Sequence, residues 1–124
     1  MKQDIENRDD IVSLLKMFYQ KAQTDDVIGS KFIGIDMHQH IEVIADFWDS
    51  ILFGANTYKG DPFGKHIPLD LHQTDFDRWV QLFTETVDAN YEGTVAEEAK
   101  MRGRTISKIF QHKLSTLRSV SYTH

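Results

Sequence analysis

The stretch Tyr58-Lys59-Gly60-Asp61-Pro62-Phe63-Gly64-Lys65-His66 organises the chain, because it separates two helical patterns. Apolar residues recur at helical spacing over residues 36–55 before it and over residues 76–87 after it. Both prolines of the chain, Pro62 and Pro68, lie between the two patterns, where each can stop a helix and fix a turn. We therefore predict two helices joined by an interrupted connection.

The histidine at the end of this stretch is a candidate metal ligand. His66 stands between Phe63 and Ile67 on a short segment that the prolines make rigid. Such a histidine suits one axial bond to a metal, whereas a structural zinc would need about four protein ligands. A solvated loop histidine without a function is the alternative interpretation of the same residues.

Length and composition indicate a single domain. We expect residues 1–124 to share one core, with residues 1–7 and 119–124 as loose ends. The chain has no cysteine, which excludes disulfides, a thiolate nucleophile and cofactor attachment through cysteine. The formal net charge of −5 argues against nucleic acid or an anionic membrane surface as a partner. No segment has the pattern of a signal peptide or a membrane span, so we expect a cytoplasmic protein.

Four main helices account for the apolar pattern, with a brief helical turn expected within residues 27–33. Asn7 and Asp36 can cap the first two helices, and Thr94 can cap the last, with Glu97 at the capping-box position. The apolar stripe of the last helix is predicted from Val95, Ala99, Ile106, Ile109, Phe110, Leu114 and Leu117. No strand signal exceeds a few residues, so the predicted fold class is all-α.

Three apolar helix faces each carry one side chain with a polar tip. These side chains are Tyr19, His40 and Trp79, on three separate helices. A buried polar tip needs a hydrogen-bond partner, and a nearby backbone carbonyl would satisfy each of them. Together with the isolated His66, however, they fit a flat cofactor within a helical sandwich. His66 would then lie on one side of the cofactor and the three polar tips on the other.

Several short motifs occur together over roughly residues 8–118. They are Phe18-Tyr19, His40 eight residues before Trp48 in Phe47-Trp48, Tyr58-Lys59-Gly60-x-Pro62, Lys65-His66, and Phe76-Asp77-Arg78-Trp79. With these motifs the chain resembles the truncated haemoglobins, and specifically their group III. The absence of a Gly-Gly pair agrees with group III, because groups I and II usually have such pairs at two helix junctions.

This resemblance implies a truncated globin-like two-over-two helical sandwich that binds haem b non-covalently, in a protein of bacterial type. His66 would be the proximal iron ligand, and Tyr19, His40 and Trp79 would be the distal polar residues. Further cofactor contacts are expected from Phe32, Ile44, Phe47, Trp48, Tyr58, Phe63, Lys65 and Phe83. The ligands would be the diatomic gases O₂, CO and NO.

The function implied by the resemblance is redox chemistry on O₂, NO or peroxide, favoured over oxygen transport because distal hydrogen bonds slow the release of a ligand. NO dioxygenase-like or peroxidase-like chemistry would need an electron donor, which the sequence does not identify. Two alternatives are a non-enzymatic oxygen or NO binder or sensor, and a helical interaction module without a cofactor. We expect a monomer or a weak oligomer.

Overall fold

In the part of the chain that the structure describes, the fold consists of four α-helices and one short 3-10 helix. A computed structural model describes residues 2–55 and 71–122, with side chains as far as residue 117. The elements are α1 (Arg8–Gln23), the 3-10 helix (Gly29–Phe32), α2 (Met37–Phe53), α3 (Gln73–Asn90) and α4 (Thr94–Tyr122). No strand occurs in this described part, and the all-α prediction is confirmed. Over the same residues, none of the helices has both the length and the apolar character needed to cross a membrane.

The first two helices begin where their capping residues predict. The Asn7 side chain accepts a hydrogen bond from the Asp10 N–H, and Asp36 does the same for the Gln39 N–H. Each side chain thus satisfies a backbone donor that the first turn of its helix leaves unpaired. Helix α2 ends at Gly54, whose φ of 70° lies in the left-handed region that glycine adopts without strain.

Helix α1 lies at the centre of the packing, because it contacts both α2 and α3, and α3 in turn packs along α4. Phe18 on α1 is fully buried and meets the edge of the Phe83 ring of α3 at 5.6 Å between centroids. Burial of one such side chain contributes about 1.5–3 kcal/mol to folding. Helices α3 and α4 approach closely at Gly103, where an added Cβ would come within 3.1 Å of the Phe83 ring.

The N-terminal segment is docked on the domain, which differs from the loose end that we expected for residues 1–7. The side chain of Ile5 is only 1% exposed and belongs to the main core. The backbone carbonyl of Gln3 accepts a hydrogen bond from the Glu92 N–H at 3.0 Å. The burial of one apolar residue therefore fixes a segment whose composition is otherwise polar.

Helix α4 is capped by this segment, and not by Thr94, which is already the first helical residue. The Asp4 carboxylate accepts hydrogen bonds from the N–H groups of Val95 at 3.0 Å and Ala96 at 2.8 Å. Gly93 precedes the helix with a φ of 136°, and a Cβ there would collide with the Asp4 side chain. A residue distant in sequence thus takes the capping position that local sequence assigned to Thr94.

The buried stripe of α4 contains smaller residues than predicted. Ala96, Ala99, Gly103 and Ser107 are buried, whereas Ile109 is 46% exposed. Small residues let α4 approach α3 closely, so side-chain size decides which face is buried as much as hydrophobicity does. The helix also continues to Tyr122, so residues 119–122 are helical and not the loose end that we expected.

Candidate functional site

A cavity lies between the helices and contains about 890 Å³ of empty space, part of it open to solvent. Helices α1, α2, α3 and α4 and the 3-10 helix all contribute to its wall. Most of the wall is apolar, and the side chains among the described residues that bring a polar or charged group to it are Tyr19, Lys31, His40, Trp48, Asp75, Trp79 and Ser107. The fold therefore brings together the three side chains with polar tips that the sequence predicted on separate helices, namely Tyr19, His40 and Trp79.

Tyr19 and His40 form a hydrogen-bonded pair across the gap between α1 and α2. The Tyr19 hydroxyl oxygen lies 3.1 Å from His40 Nε2, and the two rings meet edge to face at 4.9 Å. Tyr19 is only 4% exposed, and its ring also meets the edge of the Phe32 ring at 5.7 Å. Burial raises the pKa of the Tyr19 phenol, so it keeps its proton across the working pH range.

Trp79 on α3 is fixed by aromatic contacts. Its indole stacks on Phe83, one turn later, with 5.0 Å between centroids and 7° between planes. Phe18 meets it edge to face at 5.5 Å, and its benzene ring lies above Gly103 of α4. The indole N–H makes no hydrogen bond with any residue in ranges 2–55 and 71–117. Trp79 thus adds a donor without a described protein acceptor to the wall of the cavity.

The residues expected to contact a cofactor divide into three groups. Phe32, Ile44, Phe47 and Trp48 line the cavity, as a cofactor-contacting role requires. Phe83 does not line it, because the ring is buried behind the wall, stacked against both Trp48 and Trp79. Tyr58, Phe63, Lys65 and His66 lie outside the described residues.

Two charged residues of the wall were not anticipated from the sequence. Lys31 on the 3-10 helix and Asp75 on α3 face one another with 3.9 Å between Nζ and Oδ2. Asp75 is only 6% exposed, and its carboxylate also accepts a hydrogen bond from the His72 N–H at 2.9 Å. The sequence gives no signal for this pair, because the two residues are far apart in the chain and meet only in the folded structure.

A second ion pair holds the α1–α2 corner against α3. Asp25 Oδ1 accepts hydrogen bonds from Arg78 Nε at 2.8 Å and Nη2 at 2.6 Å, while Oδ2 accepts from the N–H groups of Val27 and Ile28. The hydrogen bond from Arg78 lowers the pKa of Asp25, so this carboxylate stays charged in mild acid. Because Ile28 lines the cavity and Arg78 precedes Trp79, this pair links two walls of the site.

Comparison with known proteins assigns this architecture to a class. A helical sandwich that encloses a cavity with an aromatic wall is the architecture of a globin, and residues 3–113 match the family model described as bacterial-like globin. The group 3 truncated haemoglobin ctb of Campylobacter jejuni is 31% identical over 121 residues, covering 92% of this chain and 95% of that protein. The crystal structure of a group III truncated haemoglobin from Campylobacter jejuni matches with a TM-score of 0.83 at 30% identity, covering 92% of this chain and 95% of that one. The chain therefore belongs to the bacterial-like globins, as a group III truncated haemoglobin.

Membership of this family implies a protein that binds haem and a gas ligand. The lining of the cavity independently fits a flat, largely apolar group, because aromatic and aliphatic side chains form most of its wall. Phe32, Phe47 and Trp48 supply planar surfaces, while Tyr19 and Trp79 supply donors. The residues present are therefore compatible with haem.

Proposed function

We propose that this chain binds haem b non-covalently and retains a diatomic ligand against the wall formed by Tyr19, His40 and Trp79, for redox chemistry on O₂, NO or peroxide. The observation that carries the proposal is the convergence of these three side chains on one apolar cavity. If these side chains had only a structural role, each polar group would be expected to bond to a nearby backbone carbonyl. Instead, Tyr19 pairs with His40, and the Trp79 N–H has no described acceptor.

Different residues of the chain are proposed to contact the haem ring and to hold its iron. Haem, when bound, supplies an iron atom that takes a diatomic ligand and exchanges electrons. Apolar contact with the flat group is assigned to Phe32, Ile44, Phe47 and Trp48, all of which line the cavity. His66 would hold the haem iron, an assignment that rests on the sequence motif alone. A neutral imidazole ligand of this kind is usually oriented by a hydrogen bond from its other ring nitrogen.

Tyr19 and Trp79 act as hydrogen-bond donors to the ligand. A ligand that gains negative charge, as O₂ does, is held more strongly by a donor than a ligand that stays nearly neutral, as CO does. Each hydrogen bond contributes about 1–3 kcal/mol in a site shielded from water. Two such bonds slow O₂ release by roughly thirtyfold to about twenty-thousandfold. Slow release suits a redox reaction in which the ligand waits for an electron donor, and it suits oxygen delivery poorly.

Removing either donor tests this proposal. We expect Tyr19→Phe and Trp79→Phe each to raise the O₂ dissociation rate of the ferrous protein by roughly tenfold or more, because each loses one hydrogen bond to the ligand. The CO dissociation rate should change much less. Both rates are measured by stopped-flow displacement of the ligand.

Tyr91→Phe is the matched control, because the Tyr91 hydroxyl donates to the Asp10 carbonyl at 3.2 Å and is not part of the cavity wall. It should leave both dissociation rates unchanged. Equal changes for O₂ and CO in the Tyr19 or Trp79 variants would show steric access in place of hydrogen bonding. No change for either gas would contradict the proposed donor role.

A further inference from the structure

The C-terminal part of the chain, most of which is in helix α4, is basic, whereas the rest of the chain is acidic. Residues 100–124 contain six Lys and Arg and no Asp or Glu, which gives a net charge of +6. Residues 1–99 contain eight Lys and Arg and nineteen Asp and Glu, which gives a net charge of −11. A basic region on an otherwise acidic protein attracts negatively charged partners to one place.

One face of α4 combines exposed cations with exposed apolar side chains. All of its members are exposed, and they are Met101, Arg104, Thr105, Lys108, Ile109 and His112. Their spacing of three or four residues places them along one side of a helix, over a length of about 16 Å. We call this face the α4 stripe.

The α4 stripe lies on the opposite side of the helix from the cavity. The residues of α4 that line the cavity are Ile106, Ser107 and Phe110. A helix turns by about 100° per residue, so these three side chains are roughly half a turn away from the stripe. A protein bound to the stripe would therefore be separated from a group in the cavity by the thickness of one helix, which is about 10 Å.

The two cations in the middle of the α4 stripe are not neutralised by neighbouring carboxylates. Nearer the start of the helix, acidic side chains pair with other cations, as Glu98 does with Arg102. Within residues 2–55 and 71–117, the side chains of Arg104 and Lys108 form no ion pair and no hydrogen bond. Their positive charge is therefore available to a binding partner.

Two apolar side chains add contact area between these cations. Met101 is 54% exposed and Ile109 is 46% exposed. Methionine and arginine are enriched in protein interfaces, where apolar groups form the centre and polar groups the rim. The α4 stripe is small, and a small interface suits a weak and transient complex, such as that of an electron carrier with its partner.

We propose that the α4 stripe is the docking surface for a small acidic protein that carries single electrons. The inference rests on the proposed function, because redox chemistry at the cavity needs an electron donor. An acidic donor is attracted by the stripe and repelled by the acidic remainder of the surface, so its encounters are steered to this face. The docked carrier gives up one electron to the iron of a haem in the cavity, which becomes ferrous, and no atom passes between the two proteins.

Other negatively charged partners fit this surface less well. An anionic membrane or a nucleic acid extends beyond the stripe and would contact the acidic remainder of the surface, which repels phosphate groups. The stripe also contains no aromatic residue, whereas helices that lie on membranes commonly insert aromatic side chains. A protein whose acidic patch matches the stripe in size encounters neither problem.

Titration with a flavodoxin, a small acidic flavoprotein that carries single electrons, tests the docking. The ferrous CO-bound protein, labelled with nitrogen-15, is mixed with the oxidised flavodoxin and followed by NMR, which reports binding without electron transfer. We expect saturable shift changes at the amides of residues 101–112. The dissociation constant should rise by roughly tenfold as the ionic strength increases from about 0.01 to about 0.15 M, because the screening length falls from about 30 Å to about 8 Å.

Charge reversal on the α4 stripe should weaken docking, whereas the same reversal elsewhere should not. Arg104→Glu combined with Lys108→Glu should raise the dissociation constant by roughly tenfold or more, because two attractions become repulsions. The matched control is Lys16→Glu combined with Lys21→Glu, which changes the net charge equally through two exposed cations of α1. This control should change the dissociation constant by less than about threefold.

A third variant, Ile109→Ser, tests the apolar part of the contact. It should raise the dissociation constant severalfold at both ionic strengths, because salt does not screen the burial of an apolar side chain. An unchanged dissociation constant would show a diffuse attraction between charges in place of a docked complex.

Several results would overturn the inference. One is that the shift changes are absent or fall outside α4, and another is that the α1 control weakens binding as much as the α4 variant does. The inference is also wrong if the stripe binds vesicles of anionic phospholipid or a second copy of this chain, and not the flavodoxin.

The outcomes distinguish this inference from the proposed function. If O₂ release is slow and depends on Tyr19 and Trp79, but no flavodoxin docks on the stripe, the docking is refuted while ligand retention stands. If flavodoxin docks on the stripe but Tyr19→Phe and Trp79→Phe leave O₂ release unchanged, the proposed ligand retention fails while the docking stands.

Discussion

His40 lies at the boundary between the cavity and solvent, where its side chain could control the entry of a ligand. Its side chain is half-buried and lines the cavity, four residues after the Asp36 cap at the start of α2. A change of one staggered side-chain torsion can move an imidazole in such a position from the cavity toward water. The charged form is better solvated in water, so mild acid should favour the outward position.

We therefore predict that His40 controls access to the cavity. His40→Leu should change the CO association rate of the ferrous protein severalfold and should flatten its pH dependence between about pH 5 and 8. The CO dissociation rate should change less. Stopped-flow mixing with CO across this range measures both rates. If the variant keeps the wild-type pH profile of CO association, His40 does not act as the gate.

The sequence predicted some side chains of the site and missed others for a physical reason. Tyr19, His40 and Trp79 could be chosen because each interrupts an apolar helical stripe, which is a local signal. Lys31 and Asp75 carry no such signal, because charged residues near helix ends are usually solvated. Phe83 was predicted to contact the cofactor but does not line the cavity. Periodicity places it on the buried face of α3 but cannot distinguish the cavity wall from the layer behind it.

At the scale of an element, the start of α4 depends on a residue outside the helix. Burial alone would raise the pKa of Asp4, but hydrogen bonds from the N–H groups of Val95, Ala96 and Ile5 outweigh it and lower the pKa below its usual value. A carboxyl group whose pKa is lower in the folded state stabilises the protein above its unfolded pKa, near 4. This contribution is lost as the pH falls through the folded pKa.

Replacing this cap should destabilise the whole domain. We expect Asp4→Ala to lower the free energy of unfolding by about 1 kcal/mol at pH 7, within a range of about 0.5–2 kcal/mol for capping residues. The difference from the wild-type protein should shrink as the pH falls below about 4, because the wild-type carboxylate is then protonated. Urea unfolding of the same protein preparation at pH 7 and pH 3 measures both values.

Two variants identify the cause of this loss. Glu6→Ala removes an exposed acidic side chain from the same segment and should have little effect. Asp4→Asn retains a capping oxygen and should preserve most of the stability. If Glu6→Ala costs as much as Asp4→Ala, general charge and not the cap is responsible.

Helix termini that depend on neighbouring residues were predictable, whereas termini that depend on tertiary contacts were not. Asn7 and Asp36 act on backbone groups within a few residues, and the structure confirms the helix starts that they indicate. Helix α3 begins at Gln73, three residues before the start of its apolar pattern at Phe76, because a polar first turn carries no hydrophobic periodicity. The cap of α4 by Asp4 joins residues about ninety positions apart, which no local pattern reveals.

At the scale of the whole molecule, two ion pairs connect the α1–α2 corner to α3. Asp25 pairs with Arg78, and Lys31 with Asp75, so the corner contributes one charge of each sign and α3 contributes their complements. The pairs lie three residues apart on α3 and place Ile28 and Lys31 opposite Asp75 and Trp79 on the cavity wall. The overall fold was predictable from helix periodicity and family motifs, but this cross-connection arises only from the folded arrangement.

We propose that these helices enclose one haem whose iron His66 would hold. Titration of haem into the purified protein, followed by its Soret absorption, tests this proposal. A sharp Soret band should saturate at one haem per chain, should be weakened and altered by His66→Ala, and should be retained by His72→Ala, since His72 is an exposed residue at the start of α3. A wild-type protein without a Soret band, or loss of the band in His72→Ala but not in His66→Ala, would show that the proposed haem site is wrong.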